Sequence, residues 1–144
     1  MTAPEPRRHA SRPDRGSSSA SSRHEMRRPR TFTHTHRLRL ERAVELYLRY
    51  CYRRQTAARA SELATTLGLT VPYLSRIAPE ILGMPLRDFL RRKQIEYAVQ
   101  LLKTTPLRSK EIALRCGFGT VSTFHRWFRY AFDTTPGAYR EVMK

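Results

Sequence analysis

Cysteine is scarce in this sequence: Cys51 and Cys116 are the only two among 144 residues. They lie far apart and form no CxxC pair, which argues against a disulfide framework and a cysteine-based zinc site. Both are expected to be small buried side chains in a reducing cytoplasm. Long apolar runs are also missing. None approaches the roughly 18 residues of a membrane span, and no signal-peptide core stands near the start, so no membrane association is expected. Acidic residues are few, with 12 Asp and Glu against 28 Lys and Arg. Clustered carboxylates of the kind that build catalytic or metal sites are absent, and from residue 37 onward His125 is the only histidine. No nucleophile, base and acid can be assembled, so neither an enzyme nor a metal or cofactor site is expected. The net charge of +16 instead favours a polyanionic partner, nucleic acid first.

Residues 1–36 are rich in Ser, Arg, Pro and His and hold almost nothing that could build a core. They read as a disordered basic tail, with eight Arg against three acidic residues. Met26 is an alternative start within it. Thr33-His34-Thr35-His36 places two histidines close together, but in a polar tail this spacing is read as chance rather than as a metal site.

Residues 37–144 carry helical periodicity throughout, and no alternating strand pattern competes with it. Leu40, Ala43, Val44, Tyr47 and Cys51 mark one helix face. Ala60, Leu63, Ala64 and Leu67 mark a second, stopped by Gly68. Thr70 is the expected N-cap of a third helix, which Pro79 should end or kink at Ala78. A long helix from about Leu86 to Leu102 carries two apolar stripes. One holds Leu86, Phe89, Leu90, Tyr97 and Leu101, and the other Ile95, Ala98 and Leu102. A helix apolar on two sides suits a bridge between two lobes. Lys110 to Cys116, Val121 to about Phe132 (capped by Thr120), and a last turn from Pro136 to Tyr139 complete an all-α domain of about seven helices.

The chain nearly repeats itself. Glu62-Leu63-Ala64 falls on Glu111-Ile112-Ala113 at an offset of 49, with Gly68 on Gly117. Beyond the glycine the offset is 50, matching Thr70 to Thr120, Val71 to Val121, Leu74 to Phe124 and Arg76 to Arg126. Each copy has the makings of a helix-turn-helix. A small alanine lets two helices approach, a glycine four residues on allows a left-handed turn, and an apolar anchor pins the second helix on the first. One such hairpin is weak evidence. Two in register, each with an outward arginine, in a basic chain, point to duplex DNA.

The segments ELATTLGLTVPYLSRI, FLRRKQIEYAVQLL and EIALRCGFGTVSTFHRWFRYAFDTTPGAYR resemble the DNA-binding domain of AraC/XylS family transcription regulators over roughly residues 38–142. The likeness is to the small stand-alone members, without an effector domain. The resemblance implies two helix-turn-helix lobes joined by a long linker helix, a homeodomain-like arrangement. It also implies promoter recognition by both second helices and contact with RNA polymerase, as in a bacterial activator. The sequence departs from the pattern at Ala78 and Pro79, where an aromatic-basic pair is common, at Gln94, where the linker commonly has Arg, and at Asp133 in place of Gly.

The DNA-contacting residues follow from which helix faces are free. On the first recognition helix Val71, Tyr73, Ser75 and Arg76 are outward candidates. On the second they are Val121, Ser122, His125, Arg126 and Arg129, and the resemblance puts base contacts at Val121, Ser122, His125 and Arg126. Thr70, Thr120 and Lys110 are expected on phosphates, and Arg91, Arg92 and Lys93 are expected, with Lys110, to add solvated positive charge near the backbone. The expected partner is double-stranded DNA, bound by a monomer in the nucleoid. The second lobe is expected to discriminate bases better, because Pro79 shortens the first recognition helix. Two alternatives remain: a degenerate regulator acting through protein contacts, and a non-specific basic nucleic-acid binder.

Overall fold

The computed structural model describes residues 32–143, and in them the chain forms seven helices and no strand. They are α1 (His34–Arg54), α2 (Ala60–Leu67), α3 (Val71–Leu82), α4 (Leu86–Thr104), α5 (Ser109–Arg115), α6 (Val121–Phe132) and α7 (Pro136–Met143). Residues 1–31, most of the expected tail, lie outside the described residues.

The folded part begins earlier than residue 37. Thr33 caps α1, its hydroxyl accepting from the His36 N–H at 3.4 Å, while the Thr33 N–H donates to His36 Nδ1 at 3.0 Å. The Thr-His-Thr-His run is therefore a helix start, in which a histidine takes the place of the usual Glu or Gln of a capping box.

The internal repeat is a repeat of hydrogen bonds. The Leu69 N–H donates to the Ala64 carbonyl at 2.9 Å, and the Phe118 N–H to the Ala113 carbonyl at 3.0 Å. Gly68 and Gly117 take the left-handed turn at φ of 69° and 72°. Thr70 and Thr120 then cap α3 and α6, their hydroxyls accepting from the Tyr73 and Thr123 N–H groups at 3.3 and 3.1 Å. Leu63, Ala64 and Leu74 in one copy, and Ile112, Ala113 and Phe124 in the other, are buried against each other's helices.

Pro79 neither ends nor breaks α3, contrary to the sequence expectation. The helix runs on to Leu82 and closes at Gly83, whose N–H donates to the Pro79 carbonyl at 2.9 Å. Proline removes one backbone bond, the one that would have gone to the carbonyl of Ser75 on the exposed side. Ile77 and Ala78 before it and Leu82 after it are buried, so packing on both sides holds the helix through the proline.

Two cores result. Leu40, Val44, Leu63, Leu74, Ala78 and Leu82 belong to the first, and Ile112, Phe124, Trp127, Phe128, Phe132 and Tyr139 to the second. The linker helix α4 serves both, but divides along its length rather than by side. Leu86, Phe89 and Leu90 in its first half enter the first core, whereas Ile95, Ala98, Leu101 and Leu102 enter the second. Tyr97 and Leu101 thus join the second lobe, not the stripe begun by Leu86.

The lobes are tied together. The Ala58 N–H donates to the Gly117 carbonyl at 2.9 Å, and the rings of Tyr52 in α1 and Tyr97 in α4 lie 4.6 Å apart between centroids. Inside α4, Gln94 is wholly buried, and its amide nitrogen donates to the Cys116 and Gly117 carbonyls at 2.8 Å each. At the far end Arg140 of α7 donates to the carbonyls of Leu102, Thr105 and Leu107 at 3.2, 3.1 and 2.6 Å.

Candidate nucleic-acid interface

The second helix of each lobe is amphipathic, and its free face is what the fold leaves for a partner. On α3 the stripe Leu74, Ile77, Ala78 and Leu82 points inward. That leaves Thr70, Val71, Ser75 and Arg76 exposed, with Tyr73 half-buried at the edge. The Arg76 guanidinium lies 5.5 Å from the centre of the Tyr73 ring, a cation–π distance that lays the arginine along the helix.

On α6 the stripe Phe124, Trp127, Phe128 and Phe132 points inward. Its rings interlock: Phe128 meets Phe124, Phe132 and Tyr139 at centroid distances of 5.7, 4.9 and 5.4 Å. Thr120, Val121, Ser122, Arg126 and Arg129 are exposed on the other side, and Lys110 is exposed near the start of α5. Val71 and Val121 present 42% and 37% of their surface at the start of the two helices.

His125 is set back from the others. It is half-buried, and its Nε2 is enclosed without a hydrogen-bond partner. Val121, Ser122, Arg126 and Arg129 on the same helix are exposed, which makes His125 the least accessible of the α6 candidates.

Two further arginines come from the linker helix: Arg91, expected near the backbone, and Arg87, which sequence reasoning missed. Arg87 and Arg91 of α4 are laid on the second lobe, Arg87 over the Trp127 ring at 5.6 Å and Arg91 over the Phe118 ring at 5.6 Å. Their positive charge stands beside that of Arg126, which together with Arg87 acts on Arg91. Arg91 opens the basic run 91–93, and the signal that could have found Arg87 is its place one turn before Arg91 on the linker helix.

Among the described residues no group of three or more His, Cys, Asp or Glu is placed to hold a metal ion, and no helix is long and apolar enough to cross a membrane. The arrangement carries two helix N-termini, each with short side chains and arginines, on lobes tied together through Gly117 and the linker helix.

Comparison with known proteins agrees. Residues 63–141 match a protein family described as a helix-turn-helix domain. The chain belongs to the AraC-type helix-turn-helix family of transcription regulators. It is 34% identical over 79 residues to the HTH-type transcriptional activator AarP of Providencia stuartii, covering 55% of this chain and 58% of AarP. It is 30% identical over 88 residues to the probable transcription factor PqrA of Proteus vulgaris, covering 61% of this chain and 72% of PqrA. The C-terminal domain of the two-component response regulator yesN from Fusobacterium nucleatum superposes with a TM-score of 0.63 at 31% identity, over 71% of this chain and 98% of that one. The DNA-binding domain of AdpA, solved with a target DNA, shares the fold at a TM-score of 0.63 and 23% identity, over 72% and 90% of the two chains. The AraC-type relatives are regulators rather than enzymes, in keeping with the lack of catalytic groupings in the sequence.

Proposed function

We propose that this AraC-type chain is a sequence-specific, double-stranded-DNA-binding transcription regulator that reads one asymmetric site as a monomer. One observation carries the reading. α3 and α6 each start at a threonine cap, bury one apolar stripe, and expose on the opposite face short side chains followed by an arginine.

An exposed helix face of this kind fits a major groove. Arg76 and Arg126 have the fork to pair with guanine, Val71 and Val121 suit a thymine methyl, and Ser75 and Ser122 accept or donate. Tyr73, His125 and Arg129 flank these contacts. Thr70 accepts a bond from its own helix and keeps an O–H to donate to a phosphate, whereas the Thr120 O–H is engaged by Thr123 Oγ1 at 3.0 Å and must turn from it to do the same, with Lys110 beside it. The two faces differ in sequence, so the site lacks two-fold symmetry. The arginines of residues 1–31 add counterion release without choosing sequence. Contact with RNA polymerase at promoters in the bacterial cytoplasm completes the proposal, supported by the activator role in AarP's name.

The test is competition at fixed salt between duplex DNA, structured RNA and anionic vesicles. Duplex DNA is expected to displace the other two. Equal displacement by all three would leave only a general basic surface.

A further inference from the structure

Three guanidinium groups meet where the linker helix crosses the second lobe. α4 follows α3 after Gly83-Met84-Pro85, so Arg87 and Arg91 stand near the junction of the two recognition units. Arg87 lies over the Trp127 ring at 5.6 Å. Arg91 lies over Phe118 at 5.6 Å and over Trp127 at 6.0 Å. Both arginines are held by ring faces, a contact that leaves guanidinium N–H groups at their edges free to donate. Of the Arg91 donors, one nitrogen is engaged by Gln94 Oε1 at 3.0 Å.

Exposed Arg126 of α6 is near enough to act on the charge of Arg91, as is Arg87. Burial strips water from Arg91, and the two cations repel it, so its guanidinium is pushed below the ordinary arginine range. Like charges gathered on aromatic rings are unfavourable in the free protein. An anion placed among them removes that repulsion.

We propose that Arg87, Arg91 and Arg126 form a phosphate clamp that grips the DNA backbone between the two major grooves entered by α3 and α6. The clamp rests on the DNA-binding reading above. A duplex that takes two helices in successive major grooves on one side turns the intervening backbone toward whatever joins them. Here that is the first two turns of α4. Arg126 then bridges two tasks, facing the groove from α6 and the backbone from the linker side. A phosphate contact carries no sequence information, so the clamp strengthens every duplex alike.

The experiment measures binding of the full chain to a duplex selected for tight binding and to a random duplex of equal length, across a range of salt. Arg91→Gln and the exposed Arg87→Gln are compared with wild type, Arg91→Lys and Arg76→Ala. Each glutamine variant is expected to weaken both duplexes by one common factor. It should also flatten the slope of log K against log salt by up to about 0.9, the value for one phosphate. Arg91→Lys keeps the charge and should keep most of the slope. Arg91→Gln also gives up two ring contacts and the bond to Gln94, so its thermal midpoint should fall. The slope is the deciding readout, because a purely structural role leaves it unchanged.

A wild-type slope in both glutamine variants overturns the clamp, as does a loss confined to the selected duplex. Inorganic phosphate at matched ionic strength separates the sources. If it raises the midpoint of wild type but not of Arg91→Gln, while the DNA slope is unchanged, the site takes free phosphate and the backbone assignment is wrong. If Arg76→Ala loses the selected site while Arg91→Gln retains the full slope, only the clamp falls. If wild type binds no duplex, the DNA-binding reading falls with it.

Discussion

The amide nitrogen of Gln94 and the carbonyl oxygen of Gly117 are 2.8 Å apart in the interior of the protein. The same carbonyl accepts the Ala58 N–H, so a single turn residue ties the first lobe, the linker helix and the second lobe together. Gln94→Ala removes the side-chain donor to the Cys116 carbonyl and leaves a void. The expected loss is about 1–3 kcal/mol for the unsatisfied group alone. Gln94→Glu should lose more at neutral pH, because a carboxylate would face two carbonyl oxygens. Urea unfolding of the two variants checks both magnitude and order.

The two turn glycines should respond differently to a methyl group. At Gly68 a Cβ meets nothing within 4 Å, so Gly68→Ala carries only the left-handed backbone cost of roughly 1–2 kcal/mol. At Gly117 the Cβ would stand 3.2 Å from both Gln94 Nε2 and the Thr56 carbonyl oxygen. The backbone oxygen cannot swing away, so Gly117→Ala should be the more destabilising in a side-by-side denaturant titration.

Arg140 gathers three carbonyls from the end of α4 and the loop after it. Charge-assisted bonds of this kind contribute roughly 1.5–3 kcal/mol each when fully buried, less here because the site is half-exposed. Arg140→Ala should cost about 2–4 kcal/mol by that reasoning. Arg140→Lys should recover little, since one ammonium cannot span three acceptors in a fork. Thermal denaturation of both variants gives the comparison.

Alkaline sensitivity is also expected. Burial pushes the Cys116 thiol from 9.0 up to about 12 and raises Cys51, Tyr47, Tyr52 and Tyr139 as well. Each raised group keeps its proton in the folded state and loses it on unfolding. For Cys116 the stabilisation is complete below pH 9 and is lost as pH rises toward about 12. The denaturation midpoint should fall across that window, and Cys116→Ala should make the fall shallower.

Much of this was written in periodicity. Gly68 and Gly117, the caps Thr70 and Thr120, and the anchors Leu74 and Phe124 stood in register before any coordinates. Pro79 misled because a local rule about one backbone bond was outweighed by tertiary burial of Ala78 and Leu82. His36 misled because a histidine accepting at Nδ1 does the work of Glu in a capping box, a role its residue type does not announce. Gln94 was visible as a polar residue among the apolar positions of α4, but its partners lie 22 and 23 residues away and only the fold brings them to it. Arg91 was visible as one of a basic run, but its ring contacts and the part of Arg87 were hidden, since cation–π neighbours across two helices leave no trace in spacing. The intact α3 removes one reason to rank the second lobe above the first in discrimination, while the aromatic anchors Phe124, Trp127 and Phe128 behind α6 remain.

The central claim is tested most directly by selecting bound duplexes from a random pool and footprinting wild type, Arg76→Ala and Arg126→Ala on the selected sequence. The expected result is an asymmetric site with two protected major-groove stretches about one turn, ~34 Å, apart. Each alanine variant should lose its own stretch and about 1–3 kcal/mol on that duplex. Arg76→Ala should lose much less on random DNA, whereas Arg126→Ala, which also gives up a phosphate contact, should weaken random DNA as well. A pool that yields no enriched sequence, or a footprint that survives both substitutions unchanged, would contradict it.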